Sequence, residues 1–261
     1  MINGYYDAVG AMVTQFNRLD VISNNLANVN TAGFKQDDIV IGTFERLYQE
    51  KRDILPLENN TKEAAKFINR NLNKVPQIVE EYTNFSIGNV IKTSNPLDVA
   101  LKQKNAFFVI DANGEKVTRA GNFSIDNQGY LVTKEGFKVL DIKNKPIKIP
   151  PNAKNITIDQ NANIYVNKTL IATLKVVSID DLNTLKKVGD KMWDFIPGSE
   201  TINTTNSTLQ GFLEKSNVNP IKEMTELIET NRLVERYQKV MTTFMDDLNS
   251  DAINKLASVR A

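Results

Sequence analysis

The sequence predicts an α+β fold: long N- and C-terminal helices that pair with each other, and a central all-β domain. Two observations give the helices. Apolar residues recur at three- and four-residue spacings near each terminus, and neither Gly nor Pro interrupts Ile221 to Ala261. A third gives the β domain: from about Phe85 to Phe195, short β-branched and aromatic runs alternate with turn residues. The expected segments are 1–36, an N-terminal helix; 37–80, a connector; 81–208, the β domain; and 209–261, the C-terminal helix.

The first helix is expected over about residues 4 to 30. Its stripe is Val9, Met12, Phe16, Leu19 and Leu26, widened by Val13, Ile22 and Val29, and Gly33 follows as a C-cap glycine able to take positive φ. The connector from Phe44 to Pro76 is polar and mixed, with room for a short helix at Glu63 to Leu72. Strands are expected at Ala106 to Ile110, Asn122 to Ile125, Tyr130 to Thr133, Asn155 to Ile158, Ile164 to Val166 and Leu170 to Val177. Asn113-Gly114 is a favoured two-residue hairpin signal, and Asn127-Gln128-Gly129 makes another turn. Trp193, the only tryptophan, suits a core or domain-edge anchor. Ser199 to Thr208 reads as an irregular return path.

The last helix has a clear start, a capping Asn219 before Pro220 at the first helical position. Its stripe runs through Met224, Leu227, Ile228, Val234, Tyr237, Met241, Phe244, Met245 and Leu248 to Ala252, Leu256 and Val259. At 1.5 Å per residue, a helix of roughly 38 residues reaches about 57 Å, far longer than a small domain is wide. Two such stripes cannot cover each other completely. The remainder needs a second molecule.

Composition excludes several classes of function. The 261 residues carry no cysteine and no histidine, which removes disulfides, thiolate nucleophiles, the commonest neutral-pH general base and the commonest transition-metal ligands. Lys plus Arg number 32 against 31 Asp plus Glu, so no basic excess points to nucleic acid, and low net charge suits association with like copies. Neither a signal peptide nor a membrane span is expected, because the first basic residue is Arg18 and no long apolar run follows. The acidic doublets Asp37-Asp38, Glu80-Glu81, Asp180-Asp181 and Asp246-Asp247 point their members in different directions and read as solvated surface. Asp111 to Glu115 lacks calcium-loop spacing, and no Gly-rich phosphate loop occurs. No catalytic residue, cofactor or metal site is expected.

One polar cluster stands out: Ser23, Asn24, Asn25, Asn28, Asn30 and Thr31, at the end of a helix whose propensity they lower. Any one of them suits fraying or capping. As a set they suit amides that hydrogen-bond across helix–helix contacts and fix register.

The run Ser23-Asn24-Asn25-Leu26-Ala27-Asn28-Val29-Asn30-Thr31-Ala32-Gly33-Phe34-Lys35 closely resembles the N-terminal signature of flagellar rod and hook proteins. A second block is Asn95 to Leu101, with Phe107-Phe108-Val109, Thr118-Arg119-Ala120-Gly121-Asn122-Phe123 and Gly129 to Thr133. A third is Gly211-Phe212-Leu213-Glu214, then Ser216 to Pro220, Glu223-Met224 and Leu227-Ile228. The blocks lie in the family's order and span the chain. Gln103-Lys104-Asn105-Ala106 departs from the family, standing where a Gly-x-Gly is usual, and the connector matches neither the proximal- nor the distal-rod type.

The resemblance implies a flagellar basal-body rod subunit of the FlgF/FlgG type, with the terminal helices in the inner tube and the β domain outward. It implies self-assembly that transmits torque, and partnership with copies of itself and other rod and hook proteins. It also implies export through the flagellar type III apparatus without signal cleavage. Neither nucleic acid nor membrane insertion enters. The expected assembly interface is Phe16, Leu19, Asn24, Asn25, Leu26, Asn28, Asn30, Gly33, Asn217, Asn219, Met224, Leu227, Ile228, Met241, Phe244, Met245 and Leu248. Two other classes compete: a cell-wall carbohydrate-active enzyme with a carboxylate pair in the β domain, and a coiled-coil adaptor with a β head that closes its oligomer.

Overall fold

The structure, a computed structural model, describes residues 2–43, 76–153, 155–203 and 207–258. The possible helix at Glu63 to Leu72 lies outside these residues. A helix opens the chain, α1 at Ile2–Ala27, and a second closes it, α2 at Pro220–Ser258. Between them come β1 Asp37–Thr43, β2 Pro76–Thr83, β3 Val90–Lys92, β4 Val99–Leu101, β5 Ala106–Asp111, β6 Glu115–Thr118, β7 Ser124–Ile125, β8 Leu131–Val132 and β9 Lys138–Val139. There follow β10 Ile156–Ile158, β11 Asn163–Val166, β12 Thr169–Thr173, β13 Val176–Ile179, β14 Lys186–Lys187, β15 Met192–Asp194, β16 Glu200–Ile202, β17 Thr208–Gln210 and β18 Phe212–Glu214. The α+β class is as expected: a helix at each end and a β-rich middle.

The chain forms two compact units. Of the described residues, one holds 2–26, 37–43, 76–82 and 220–258; the other holds 27–36, 83–153, 155–203 and 207–219. In the first, β1 and β2 form a two-stranded sheet, and Tyr82 donates its hydroxyl to Asp38 Oδ2 at 3.2 Å. Asp38 is therefore engaged rather than simply solvated. These strands flank the segment expected to be a connector, where the polar composition hid them.

In the second unit β5 is the organising strand. It pairs β6, β9 and β13, and Ala106 through Ile110 are all buried. Alternation sends Phe107 and Phe108 to opposite faces. Phe108 joins a core with Leu101, Phe123, Leu131, Ile149, Ile164 and Val176. Phe107 joins Phe85, Val117, Val177 and Trp193, with Trp193 fully buried and 5.4 Å from the Phe85 ring centroid. A strand buried on both faces reads as a continuous apolar run, and Ala106 to Ile110 does.

Four turns repeat one design: Asp126–Tyr130, Thr133–Phe137, Asp141–Lys145 and Asp159–Asn163. In each, the first residue exchanges backbone hydrogen bonds with the fourth and fifth, and its side-chain oxygen accepts from the backbone N–H of the fifth. Asx- and ST-type turns of this kind need no long loop, so the strands can be very short.

Three strand expectations change. The β5–β6 loop holds Ala112, Asn113 and Gly114, three residues rather than two, because Asp111 pairs Glu115. The run Leu170 to Val177 is two strands, since the chain passes there from the three-stranded sheet β10–β11–β12 to the large sheet, with buried Leu174 and Lys175 at the crossing. The path through Ser199 to Thr208 is not wholly irregular, for β16 pairs the free edge of β13. The segment 209–261 also opens with the end of β17 and with β18 before α2 begins at Pro220.

Candidate functional site

The helical unit has a seam whose α1 side is not marked by bulky apolar residues. Buried positions on α1 are Ala8, Ala11, Thr14, Gln15, Ile22 and Asn25, so the inward face is mostly small or polar. Val13 and Phe16 stand on another face, 51% and 42% exposed. On α2 the buried or half-buried positions include Glu223, Leu227, Thr230, Val234, Tyr237, Met241, Phe244 and Leu248, which step alternately by four and three residues, a heptad rhythm, with Glu226 and Leu233 half-buried beside it. Met224, Ile228 and Met245 fall outside that rhythm, at 51%, 54% and 47% exposed. The single stripe expected on each helix is thus two faces, one turned into the chain and one left open.

The helices touch at three described points. The Phe244 ring lies beside Gly4, where an added Cβ would come within 3.1 Å of its Cζ. Arg18 Nη2 reaches Glu226 Oε2 at 3.4 Å. Asn25, 2% exposed, donates to Glu223 Oε2 at 3.3 Å and to the Asp37 carbonyl at 2.8 Å, and accepts from the Asp37 N–H at 3.0 Å. Residue numbers rise along one helix as they fall along the other, so the contacts run antiparallel. Burial raises the Glu223 carboxyl above its usual range; the Asn25 amide pulls the other way, and Glu226 and Asp38 push further up.

The polar cluster divides. Asn25 works between segments of its own chain. Asn28 accepts from the Thr31 hydroxyl at 3.1 Å in the turn after α1, and Asn24 and Asn30 are exposed. Asn217 spends its amide inside the chain as well, accepting from Gln36 N at 2.8 Å and donating to Asn84 O and Ser86 Oγ at 2.7 and 2.9 Å. Asn219 is exposed directly before α2, while Leu19 and Leu26 are half-buried. Gly33 takes φ +69°, yet not as a helix cap, because α1 ends six residues earlier. A Cβ there would lie 2.3 Å from the Ala120 backbone nitrogen, and its N–H donates to the Glu214 carbonyl at 2.9 Å.

Beside Gly33, in the β unit, is a feature that sequence reasoning missed. Lys35, Arg119 and Glu214, one from each signature block, meet with their side chains essentially unexposed. Lys35 Nζ donates to Glu214 Oε1 and to the Ser86 carbonyl, each at 2.6 Å. Arg119 donates through Nε and Nη2 to Glu214 Oε2 at 3.0 and 2.5 Å, and through Nη1 to the carbonyls of Gln103 and Ala106 at 2.6 Å. The Gly88 N–H completes Glu214 at 3.0 Å. Burial pushes the Glu214 carboxyl up, but Arg119 and Lys35 together outweigh it and hold it below the usual range. Burial lowers Lys35 to about 8, with Glu214 opposing and Arg119 adding to the fall. The second and third blocks also join by backbone, Gly211 N–H to Asp98 O at 2.7 Å, and within the second Val99 N–H reaches Gly121 O at 2.9 Å. The sequence carried no local signal for it, because the three residues lie in separate blocks and only the fold brings them together.

This arrangement braces and connects. Among the described residues no group of three or more acidic side chains could hold a metal ion. Nor is any described helix long and apolar enough to cross a membrane.

Three family models match the chain: "Flagella basal body rod protein" over residues 6–35, "Flagellar hook protein FlgE/F/G D1 domain" over 103–166, and "Flagellar basal body rod FlgEFG protein C-terminal" over 209–255. The flagellar basal-body rod protein FlgF of Caulobacter vibrioides is 30% identical, across 99% of this chain and 100% of its own. FlgG of Bacillus subtilis is 28% identical over 97% of this chain and 99% of its own, and FlgG of Agrobacterium fabrum 30% over 90% and 93%.

Proposed function

The chain belongs to the flagellar basal-body rod protein family, as a structural rod subunit of the FlgF/FlgG type on which motility depends, and we propose how its surfaces build that rod. Its place is the flagellar basal body, and its family implies assembly with other rod and hook proteins. The rod-protein relatives give the carbohydrate-active and adaptor readings no support.

The observation that carries the assembly reading is the open face of each terminal helix. The α1–α2 seam uses small and polar groups on α1, so it leaves the bulky residues Val13, Phe16, Met224, Ile228 and Met245 facing out. Burying such side chains is worth roughly 1.5–3 kcal/mol each. Contacts of this kind that do not close a ring propagate as a helical stack, and a stack of many stiff contacts transmits torque. In this reading α1 and α2, the helical parts of 1–36 and 209–261, form the assembly element as an antiparallel coiled-coil pair. Phe16, Met224, Ile228 and Met245 carry the contact between copies. Leu227, Met241, Phe244 and Leu248 serve the seam within one copy. The subunit acts without catalysis and leaves the cell by the flagellar type III apparatus with no cleaved signal.

The test is Met224→Asp with Ile228→Asp. These side chains are open in the single chain, so the purified variant should melt like wild type. Placed in a contact that dries on assembly, two carboxylates should abolish polymerisation and motility. A motile strain carrying only the variant would refute the assignment.

A further inference from the structure

The buried cluster of Lys35, Arg119 and Glu214 is an odd source of stability. Two cations and one anion sit without solvent, so the site carries one uncompensated positive charge. Desolvating each ion is expensive, and buried ion clusters are often replaceable by uncharged groups at no loss. Backbone carbonyls of Ser86, Gln103 and Ala106 take up the excess. The low proton affinity of Lys35, at about 8, fits a group held where its charge is poorly tolerated.

What the cluster does supply is one geometry. Segment 33–36, through which the chain leaves α1, lies between segment 84–88 and segment 214–217, which leads into α2. Gly33 N–H reaches Glu214 O at 2.9 Å, Gln36 N–H reaches Asn217 Oδ1 at 2.8 Å, and Asn84 N–H reaches Gln36 O at 2.8 Å. No described strand includes Gly33 to Gln36, so no regular ladder fixes their register. Lys35 can satisfy both Glu214 Oε1 and Ser86 O only at one register, since a one-residue slip turns its side chain away.

Resting on the assembly reading above, we propose that the Lys35–Glu214 bridge, anchored by Arg119, is a register lock: it holds the two segments that feed the terminal helices in the one alignment that assembly accepts, while adding little to the stability of the β unit.

The test is Lys35→Met with Glu214→Gln in the full chain. The pair removes one cation and one anion, so the net charge of the site is unchanged. The amide oxygen introduced at position 214 still accepts from Arg119; the Gly88 N–H then faces the amide nitrogen and loses its acceptor, a loss offset because two ions no longer have to be desolvated. The expected result is a melting temperature within about 3 °C of wild type, with loss of polymerisation and of motility. A variant that polymerises like wild type overturns the lock. So does one that melts far below wild type, because the bridge would then be a stability element. Met224→Asp with Ile228→Asp runs beside it. If that control polymerises normally, the assembly reading fails whatever the Lys35 and Glu214 variant does; if the control is blocked while the Lys35 and Glu214 variant assembles, only the lock fails.

Discussion

Replacing Gly33 with alanine adds a single methyl group where two backbone segments of the β unit pass in close contact. Gly33 sits at φ +69°, where an L-residue costs about 1–2 kcal/mol. The new Cβ would meet Ala120 N at 2.3 Å, Ala120 Cα at 2.5 Å and the Arg119 carbonyl carbon at 2.5 Å. All three are backbone atoms, so no side chain can swing aside, and segment 33–36 must withdraw by roughly an ångström to restore ordinary contact. That withdrawal stretches the 2.9 Å bond from Gly33 N–H to Glu214 O, and an unmade buried hydrogen bond costs about 1–3 kcal/mol. The expected total is roughly 2–5 kcal/mol, which for a unit of about 150 residues lowers the melting temperature by about 10 °C. Gly136→Ala is the matched control, with φ +90° but nothing within 4 Å of its added Cβ, so only the conformational cost of about 1 kcal/mol applies. The sole tryptophan, buried in this unit, reports unfolding by fluorescence. If Gly33→Ala melts no lower than Gly136→Ala, close backbone approach is not what requires glycine at position 33.

Two further expectations concern pH. Lys35 has a folded pKa of about 8 against an ordinary 10.5, so between those values the unfolded chain binds the proton that the folded chain has released, and stability attributable to Lys35 rises with pH across that window. Urea titrations of wild type and Lys35→Met at pH 7.5 and about 9.5 should show wild type gaining relative to the variant; a flat difference would refute the depressed value. Glu223 has a raised folded pKa, so its contribution is complete below the ordinary carboxylate pKa and is lost as pH rises through the raised one. Glu223→Gln, followed by helical circular dichroism, should therefore melt higher than wild type at neutral pH and match it in mild acid; equal melting at neutral pH would count against the burial cause.

Much of this architecture was readable from residue types alone. Asn219-Pro220 marks the start of α2 because proline fixes the first helical φ and needs no hydrogen bond there, and α2 begins at Pro220. Ala106 to Ile110 is legible because a strand covered on both faces must be apolar throughout. The faces of α1 were not. Periodicity weights bulky apolar residues, so it selects Val13 and Phe16, whereas the buried face is made from Ala8, Ala11, Thr14 and Gln15. Small residues permit close approach and leave a weak apolar signal. The ionic cluster was illegible for a different reason: Lys35, Arg119 and Glu214 are brought together across separations of 179 and 95 residues, and no local pattern encodes such pairings.

The two findings on the helices and the cluster bear on one problem. A subunit that polymerises must hide enough surface to exist alone, yet keep enough open to join its neighbours. Making the buried face of α1 from alanine, threonine and buried amides meets the first demand with little apolar area on that helix, which leaves Phe16, beside Met224 and Ile228 of α2, for the second. With few bulky residues on the α1 side to interlock with those of α2, packing alone specifies alignment weakly, since interlocking bulky residues are what normally fix helix register. Asn25 supplies alignment at one end of that seam, through Glu223 and the backbone of Asp37. Within the β unit, Lys35 and Glu214 would supply it where the chain leaves one helix and approaches the other. Directional polar contacts then share with the α2 side chains a task that apolar packing performs in most helical pairs, and the large apolar side chains of the outer faces are left to the surface where copies meet.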